Sequence, residues 1–267
     1  MEYFAGLFDA EGYVTLGKEG RFQIGMEISN EIIPALFQQQ FGGNVYNRQR
    51  KDRKKTWTWI ISTNLPQARE FISLVSPHSI IKRTQLLRLS DYLSQSRTFR
   101  KEIRDDISHQ ISKLKIPLPI TKEIIKNRSP KTATQSFWKW LAGFFDGDGN
   151  FCVYEYKGKL SPIFDSWISI FNTHPDPISF VNDHFLGSIS SYKGTKFPIW
   201  KWVCNQKNSQ IVCECVLPFL KIKRGQCILV LEFLAIKKTK TRESSYSFEQ
   251  INRIRDIIKQ IKHLNSL

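Results

Sequence analysis

The sequence predicts an α+β fold made of two pseudo-symmetric units of order αββαββα, with the first helix of each unit packed at the centre. Three observations carry this. A nonapeptide occurs twice, as Phe4-Ala5-Gly6-Leu7-Phe8-Asp9-Ala10-Glu11-Gly12 and as Leu141-Ala142-Gly143-Phe144-Phe145-Asp146-Gly147-Asp148-Gly149. Its acids, at positions 11 and 148, lie 137 residues apart in a chain of 267. Later segments recur in step: Trp57-Thr58-Trp59 returns as Trp200-Lys201-Trp202, and residues 77–85 return as 218–226. Each half also holds four stretches of period-two alternation, which read as strands with one apolar and one polar face. A repeat of this kind sets the plan of the chain before any single element is assigned.

Each nonapeptide reads as the last turns of a helix ended by glycine, Gly12 or Gly149. Thr134 or Ser136 supplies an N-cap for the second helix; the first starts at or near Met1. Gly6 and Ala10, like Gly143 and Gly147, lie four apart and share a helix face. Bulky side chains hold helix axes about 8–10 Å apart, and glycine in a helix costs roughly 0.5–1 kcal/mol relative to alanine. Close packing is the reason to carry it, and the simplest partner for one small-residue face is the other.

Residues 13–16 and 22–28 follow as strands, with Val14, Leu16, Phe22, Ile24, Met26 and Ile28 facing the core. A helix through Ile33, Leu36, Phe37 and Phe41 ends at Gly42-Gly43. A hairpin rises over 44–50, turns at 51–55 and returns over 56–63, with Trp57, Trp59 and Ile61 inward. Helices follow at 66–76 and 80–94. In the second half, 151–156 and 163–171 are strands, 176–185 a helix, 188–192 and 199–205 the second hairpin, and 248–264 an added C-terminal helix. The expected division is 1–96 for the first unit, 97–133 for a charged, proline-broken connector, and 134–267 for the second unit.

Lys and Arg total 40 against 24 Asp and Glu, a formal net charge of +16 spread through both halves. A basic globular chain of this kind binds nucleic acid. No stretch approaches the ~18 consecutive apolar residues of a membrane span, and no signal peptide is visible. The five cysteines all fall in the second half without a C-x-x-C pair, which argues for core packing in a reducing compartment and against a disulfide framework or zinc site.

Glu11 and Asp148 each sit at a helix C-terminus, the wrong end of the dipole for an acid. Two such ends side by side concentrate two carboxylates and several free carbonyls. A divalent cation resolves that repulsion, and Mg²⁺ takes carboxylate oxygens together with waters and phosphate. Such a site between basic strands suits phosphodiester hydrolysis. An antiparallel sheet covered by helices on one side leaves its other face open, so the sheets form a DNA-binding saddle. Its open faces carry Arg21, Gln23, Arg48, Arg50 and Thr58 in the first half. In the second they carry Tyr154, Tyr156, Trp167 and Lys201. Arg to guanine and Gln to adenine are the usual base-edge pairings. Residues 51–55 suit phosphate contacts.

The paired nonapeptides resemble those of the LAGLIDADG homing endonucleases in their single-chain form, and the resemblance extends loosely over nearly the whole chain. It implies metal-dependent double-strand cleavage of a long DNA target across the minor groove, with short 3′ overhangs, two or three Mg²⁺ ions, and a monomer without an obligate protein partner. It places the metal on Glu11 and Asp148; the backbone at position 10 is not assigned. It gives Asn30 and Asn172, after the second strand of each unit, the role of water-positioning residues. It gives Lys82 and Lys223, at the start of each unit's last helix, charge stabilisation or water orientation. Asp9 and Asp146 read as structural. The two acids differ in type, and no arginine follows Asn30 or Asn172 as in some members. Alternatives are an intron-encoded RNA maturase and a non-catalytic DNA-binding protein. The Lys, Ile, Phe and Ser richness suits an A+T-rich genome, pointing to an organelle or a prokaryotic cytoplasm.

Overall fold

A computed structural model describes residues 1–17, 21–49, 55–117, 132–158, 161–204, 206–239 and 246–266. The first half runs α1 (Glu2–Glu11), β1 (Gly12–Leu16), β2 (Phe22–Ile28), α2 (Ile32–Phe41), β3 (Asn44–Arg48), β4 (Thr56–Ser62), α3 (Pro66–Val75), α4 (Arg83–Ser94). α5 (Arg97–Lys113) follows. The second half runs α6 (Gln135–Asp148), β5 (Gly149–Tyr156), β6 (Ile163–Asn172), α7 (Asp176–His184), β7 (Gly187–Tyr192), β8 (Ile199–Cys204), α8 (Ser209–Val216), α9 (Arg224–Thr239) and closes on α10 (Phe248–Ser266). The sheets are antiparallel and share one topology, β1-β2-β4-β3 and β5-β6-β8-β7.

Alternation works as the pattern requires. Val14, Phe22, Ile24, Met26, Trp59 and Ile61 are buried under the helices of the first unit, and Phe151, Ile168, Ile170 and Trp202 under those of the second. The repeat-related Trp59 and Trp202 are both wholly buried. Trp59 faces Met26 and Val45 in register; Trp202 faces Ile170 and Ile189.

The two motif helices pack on each other through their glycines. A β-carbon on Gly6 would lie 1.9 Å from the Trp140 carbonyl oxygen, and one on Gly143 would lie 2.0 Å from that of Tyr3. Backbone therefore touches backbone, which no larger residue allows. Thr134 caps α6 by accepting from Phe137 N–H at 3.3 Å.

Glycine ends each motif helix, and both Gly12 (φ −77°) and Gly149 (φ −86°) are extended. Their missing side chains leave room for Phe8 and Phe145, which a β-carbon would meet at 2.3 and 2.1 Å. The last helix of the first unit begins at Arg83 rather than near residue 80, because residues 80–82 turn their N–H groups onto a buried carboxylate described below. The connector is not merely broken coil: Ser96 caps the 17-residue α5, and Ile103, Ile107 and Ile111 repeat every fourth residue against the core. α10 buries Ile254, Ile257 and Ile261, and Arg255 pairs with Glu155 of β5 at 2.7 Å.

Candidate active site

Glu11 and Asp148 are the last residues of α1 and α6, and the glycine packing brings these ends together. A β-carbon on Gly147 would lie 2.5 Å from that of Ala10 and 3.1 Å from Cγ of Glu11. Burial pushes the Glu11 carboxyl up to about 7; the charge of Asp148 adds to this, and Lys223 and Lys82 oppose it. Burial likewise raises Asp148, to about 6, against the hydrogen bond from Asn172 and the two lysines.

Beneath this pair, Asp9 and Asp146 hold the scaffold. Asp9 accepts from Ser79 Oγ and from the N–H groups of Ile80, Ile81 and Lys82. Asp146 accepts from the N–H groups of Lys221 and Lys223. Each also takes a bond from an aromatic of the other unit. Trp140 Nε1 donates to Asp9 at 3.0 Å, and Tyr3 OH donates to Asp146 at 2.8 Å. Both aspartates are buried and tie the turn before the unit's last helix to the motif helix. They are scaffold, as their neighbours in the motif suggested.

The two lysines, equivalent in sequence, are not equivalent in place. Lys223 Nζ donates to the carbonyls of Phe145, Gly147 and Gly149 at 2.7–2.8 Å, so all three of its protons close the C-terminus of α6. No hydrogen bond to Lys82 Nζ is made among the described residues. Burial lowers both lysines from their ordinary range.

The asparagines also diverge. Asn172 Nδ2 donates to Asp148 at 2.7 Å. Asn30 Oδ1 accepts from Ile32 N–H, and Glu11 has no side-chain partner among the described residues. A cavity of ≈ 260 Å³ opens beside Glu11 and Asn30; its far wall comes from the second unit, through Lys223, Gln226, Leu264 and Asn265. The lysine that shares a cavity with the first unit's acid and asparagine is thus Lys223, not Lys82.

On the first sheet's open face, Gln23 and Thr58 are half-buried and Arg48 exposed, with Arg21 exposed just ahead of β2. Arg50 and residues 51–54 lie outside the described residues. Lys55 lies over the Trp57 ring at 4.4 Å. On the second face, Tyr154, Tyr156 and Trp167 are exposed. The Lys201 ammonium sits 3.9 Å from the centroid of Trp167 and 5.2 Å from that of Phe171, so this cation lies within an aromatic surface.

The donor set suits a hard divalent cation. Among the described residues no three His, Cys, Asp or Glu side chains cluster as a closed metal site. Two carboxylates with protons to lose, at the negative ends of two helices, fit an ion that keeps several waters and takes phosphate oxygens.

No family model matches the chain, and no curated protein matches it. Solved structures do. One of I-SmaMI bound to uncleaved DNA target in the presence of calcium ions is 17% identical, covers 98% of both chains and superposes with a TM-score of 0.67. The I-SmaMI LAGLIDADG homing endonuclease bound to cleaved DNA is 18% identical over 96% of this chain and 94% of its own, at 0.64. The LAGLIDADG meganuclease I-AabMI bound to uncleaved DNA is 14% identical over 96% and 97%, at 0.69. Over nearly its whole length, the chain has the fold of the LAGLIDADG homing endonucleases.

Proposed function

We propose that this protein is a site-specific DNA endonuclease that cuts both strands of a long duplex target with Mg²⁺, leaving short 3′ overhangs. The observation that carries the reading is the pair of carboxyls at abutting helix ends, Glu11 and Asp148, set between two open antiparallel sheet faces in a chain of net charge +16. The structural relatives bound to DNA support it. Residues 1–96 and 134–267 are the two DNA-facing units and 97–133 their connector. The protein acts as a monomer, and two or three divalent ions serve the two strands. An organelle or a prokaryotic cytoplasm suits the composition; no described helix is long and apolar enough to cross a membrane.

When bound, the metal supplies an activated water and stabilises the leaving 3′ oxygen. Glu11 and Asp148 give up their protons to hold it. Asn172 orients Asp148, and Asn30 lines the opposite cavity, where it would hold water. Lys82 keeps its ammonium for phosphate charge, whereas Lys223 neutralises the carbonyl end of α6. Arg21, Gln23, Arg48 and Thr58 meet base edges, and exposed Lys193 and Lys196 of the second hairpin loop meet phosphates.

The test is incubation with a randomised duplex library in Mg²⁺, Ca²⁺ or EDTA, followed by sequencing of the ends. Cleavage in Mg²⁺ and binding without cleavage in Ca²⁺ are expected. Full cleavage in EDTA would sink the reading. Binding of structured RNA with no DNA cut in any metal would favour the maturase instead.

A further inference from the structure

The connector reaches the second half of the site, and one histidine holds it there. After α5, residues 114–117 form a turn closed by Leu114 N–H to Gln110, Lys115 N–H to Ser112 and Ile116 N–H to Lys113. The Lys115 carbonyl oxygen lies 3.1 Å from His174 Nε2. A carbonyl only accepts, so Nε2 carries the proton. His174 in turn donates its backbone N–H to Asn172 Oδ1 at 2.8 Å, and Asn172 Nδ2 donates to Asp148 at 2.7 Å. An unbroken chain of three hydrogen bonds thus runs from the connector backbone to an acid of the candidate site. It joins residues from three parts of the sequence, 115, 172–174 and 148.

The charges around this chain are mutually felt. Burial lowers Lys115. Lys82 is lowered by burial and by the charge of Lys115. His174 is lowered by burial and by Lys82. The bond to the Lys115 carbonyl, Asp176 and Asp9 oppose this, so the ring sits among charges of both signs, and Lys115 is three hydrogen bonds away from Asp148 along the chain.

We propose that His174 is a positioning residue, which latches the connector to the second unit and brings Lys115 to the active centre as a further phosphate-facing cation. The role of Lys115 rests on the nuclease reading above; the latch does not. In the first unit Asn30 is followed by Glu31 and Ile32, so that half has no counterpart of His174. One strand's phosphate would meet both Lys82 and Lys115, and the other strand's would not.

Hydrogen exchange on the free protein tests the latch. His174→Ala should speed exchange at the Leu114, Lys115 and Ile116 amides ~2–10-fold, the scale of one net hydrogen bond. His174→Gln keeps a side-chain N–H donor and should return exchange toward the parent rate. Unchanged exchange in His174→Ala overturns the latch.

Single-turnover cleavage of a library-selected duplex, labelled separately on its strands, tests the cation. Lys115→Met should slow one strand ~10-fold or more, the scale of one lost charge-assisted hydrogen bond, and Lys115→Arg should restore it. His174→Ala should slow the same strand, and the double variant should be no slower than Lys115→Met, because the two act as one unit. Equal slowing of both strands in step with lost affinity, or fully additive effects, overturns the role of Lys115. A parent protein that cuts nothing in Mg²⁺ would defeat the nuclease reading and with it the cation, while the exchange measurement still decides the latch.

Discussion

The open face of the first sheet is mostly polar, with Tyr46 exposed among its polar groups, and that of the second is more aromatic. On the first, Gln23, Glu27, Arg48, Thr56 and Thr58 lie across neighbouring strands, and Thr56 Oγ1 donates to Glu27 at 2.8 Å. On the second, Tyr154 packs edge-on against Trp167 with centroids 5.6 Å apart, Tyr156 and Tyr192 are exposed, and Lys201 is held over Trp167. The two faces share topology but not chemistry. The first offers donors and acceptors, the groups that pair with base edges; the second offers more apolar ring surface, the kind that suits thymine methyls and groove shape. The two halves of the candidate site diverge in the same way. Asp148 is held by Asn172 and a latched connector, whereas Glu11 faces a cavity closed by the C-terminal helix. The two halves thus share their scaffold and differ in their open surfaces.

The acids are where the comparison should vanish. Glu11→Gln or Asp148→Asn should slow both strands on the order of 10³-fold, the upper scale for losing one preorganised electrostatic contact, with near-normal binding in Ca²⁺. Loss confined to one strand would show that each carboxylate serves its own half.

The two lysines should behave differently. Lys223→Met strands carbonyls that its ammonium now satisfies, so it should cost stability by ~1–3 kcal/mol per group left buried and unpaired. Lys82→Met should lower the cleavage rate with little change in melting temperature. Thermal melts beside strand-resolved rates separate the two; equal melting temperatures would break the distinction.

The sheet faces should differ in what they read. Arg48→Ala should relax preference at one base pair by ~1–3 kcal/mol. Lys201→Ala should change affinity by ~0.5–2 kcal/mol, the range of a cation–π contact, without altering base preference. Library selection should therefore give a sharply specified half-site under the first sheet and a looser, thymine-rich one under the second. Equal information in both halves would overturn this.

The smallest effect concerns pH. The folded protein holds protons on Glu11 to about 7 and on Asp148 to about 6, against ordinary values of 4.5 and 3.8. Between about 4 and 7 it binds more protons than the unfolded chain, so metal-free stability should fall as pH rises through that window. Each kcal/mol appears as roughly 2–4 °C in Tm for a protein of this size or slightly smaller. Metal binding competes with those protons, so Ca²⁺ should protect more at pH 8 than at pH 5. A metal-free Tm that climbs from pH 5 to 8 would contradict the burial of this pair.

Much of this was legible in the sequence because it rests on local pattern. Gly6 and Gly143 announced the helix pairing through spacing alone, and alternation placed Trp59 and Trp202 in the core. The α5 helix was also legible in principle, through Ser96 and the Ile103, Ile107, Ile111 spacing, but Pro117 and Pro119 and the surrounding charge give the segment the composition of a broken linker. The reach of Lys115 to His174 was not legible, since it depends on where a helix end lands after the whole first unit has folded. Nor was the closure of Lys223 onto three carbonyls: Lys82 and Lys223 occupy matching positions, and only the path of the backbone beyond each tells them apart.

Tyr3 and Trp140 bear on how freely the halves can be exchanged. Each gives a hydrogen bond to the buried aspartate of the opposite motif helix, so each half completes an ionisable group that the other half carries. The halves are therefore not interchangeable modules. A chimera joining the first half of this chain to a second half from a relative must bring an aromatic donor to the place of Trp140 and a residue without bulk to that of Gly143. Otherwise Asp9 loses its cross-unit bond, or two backbones that now touch are wedged apart. Trading halves would then succeed or fail on a few residues buried at the seam between them.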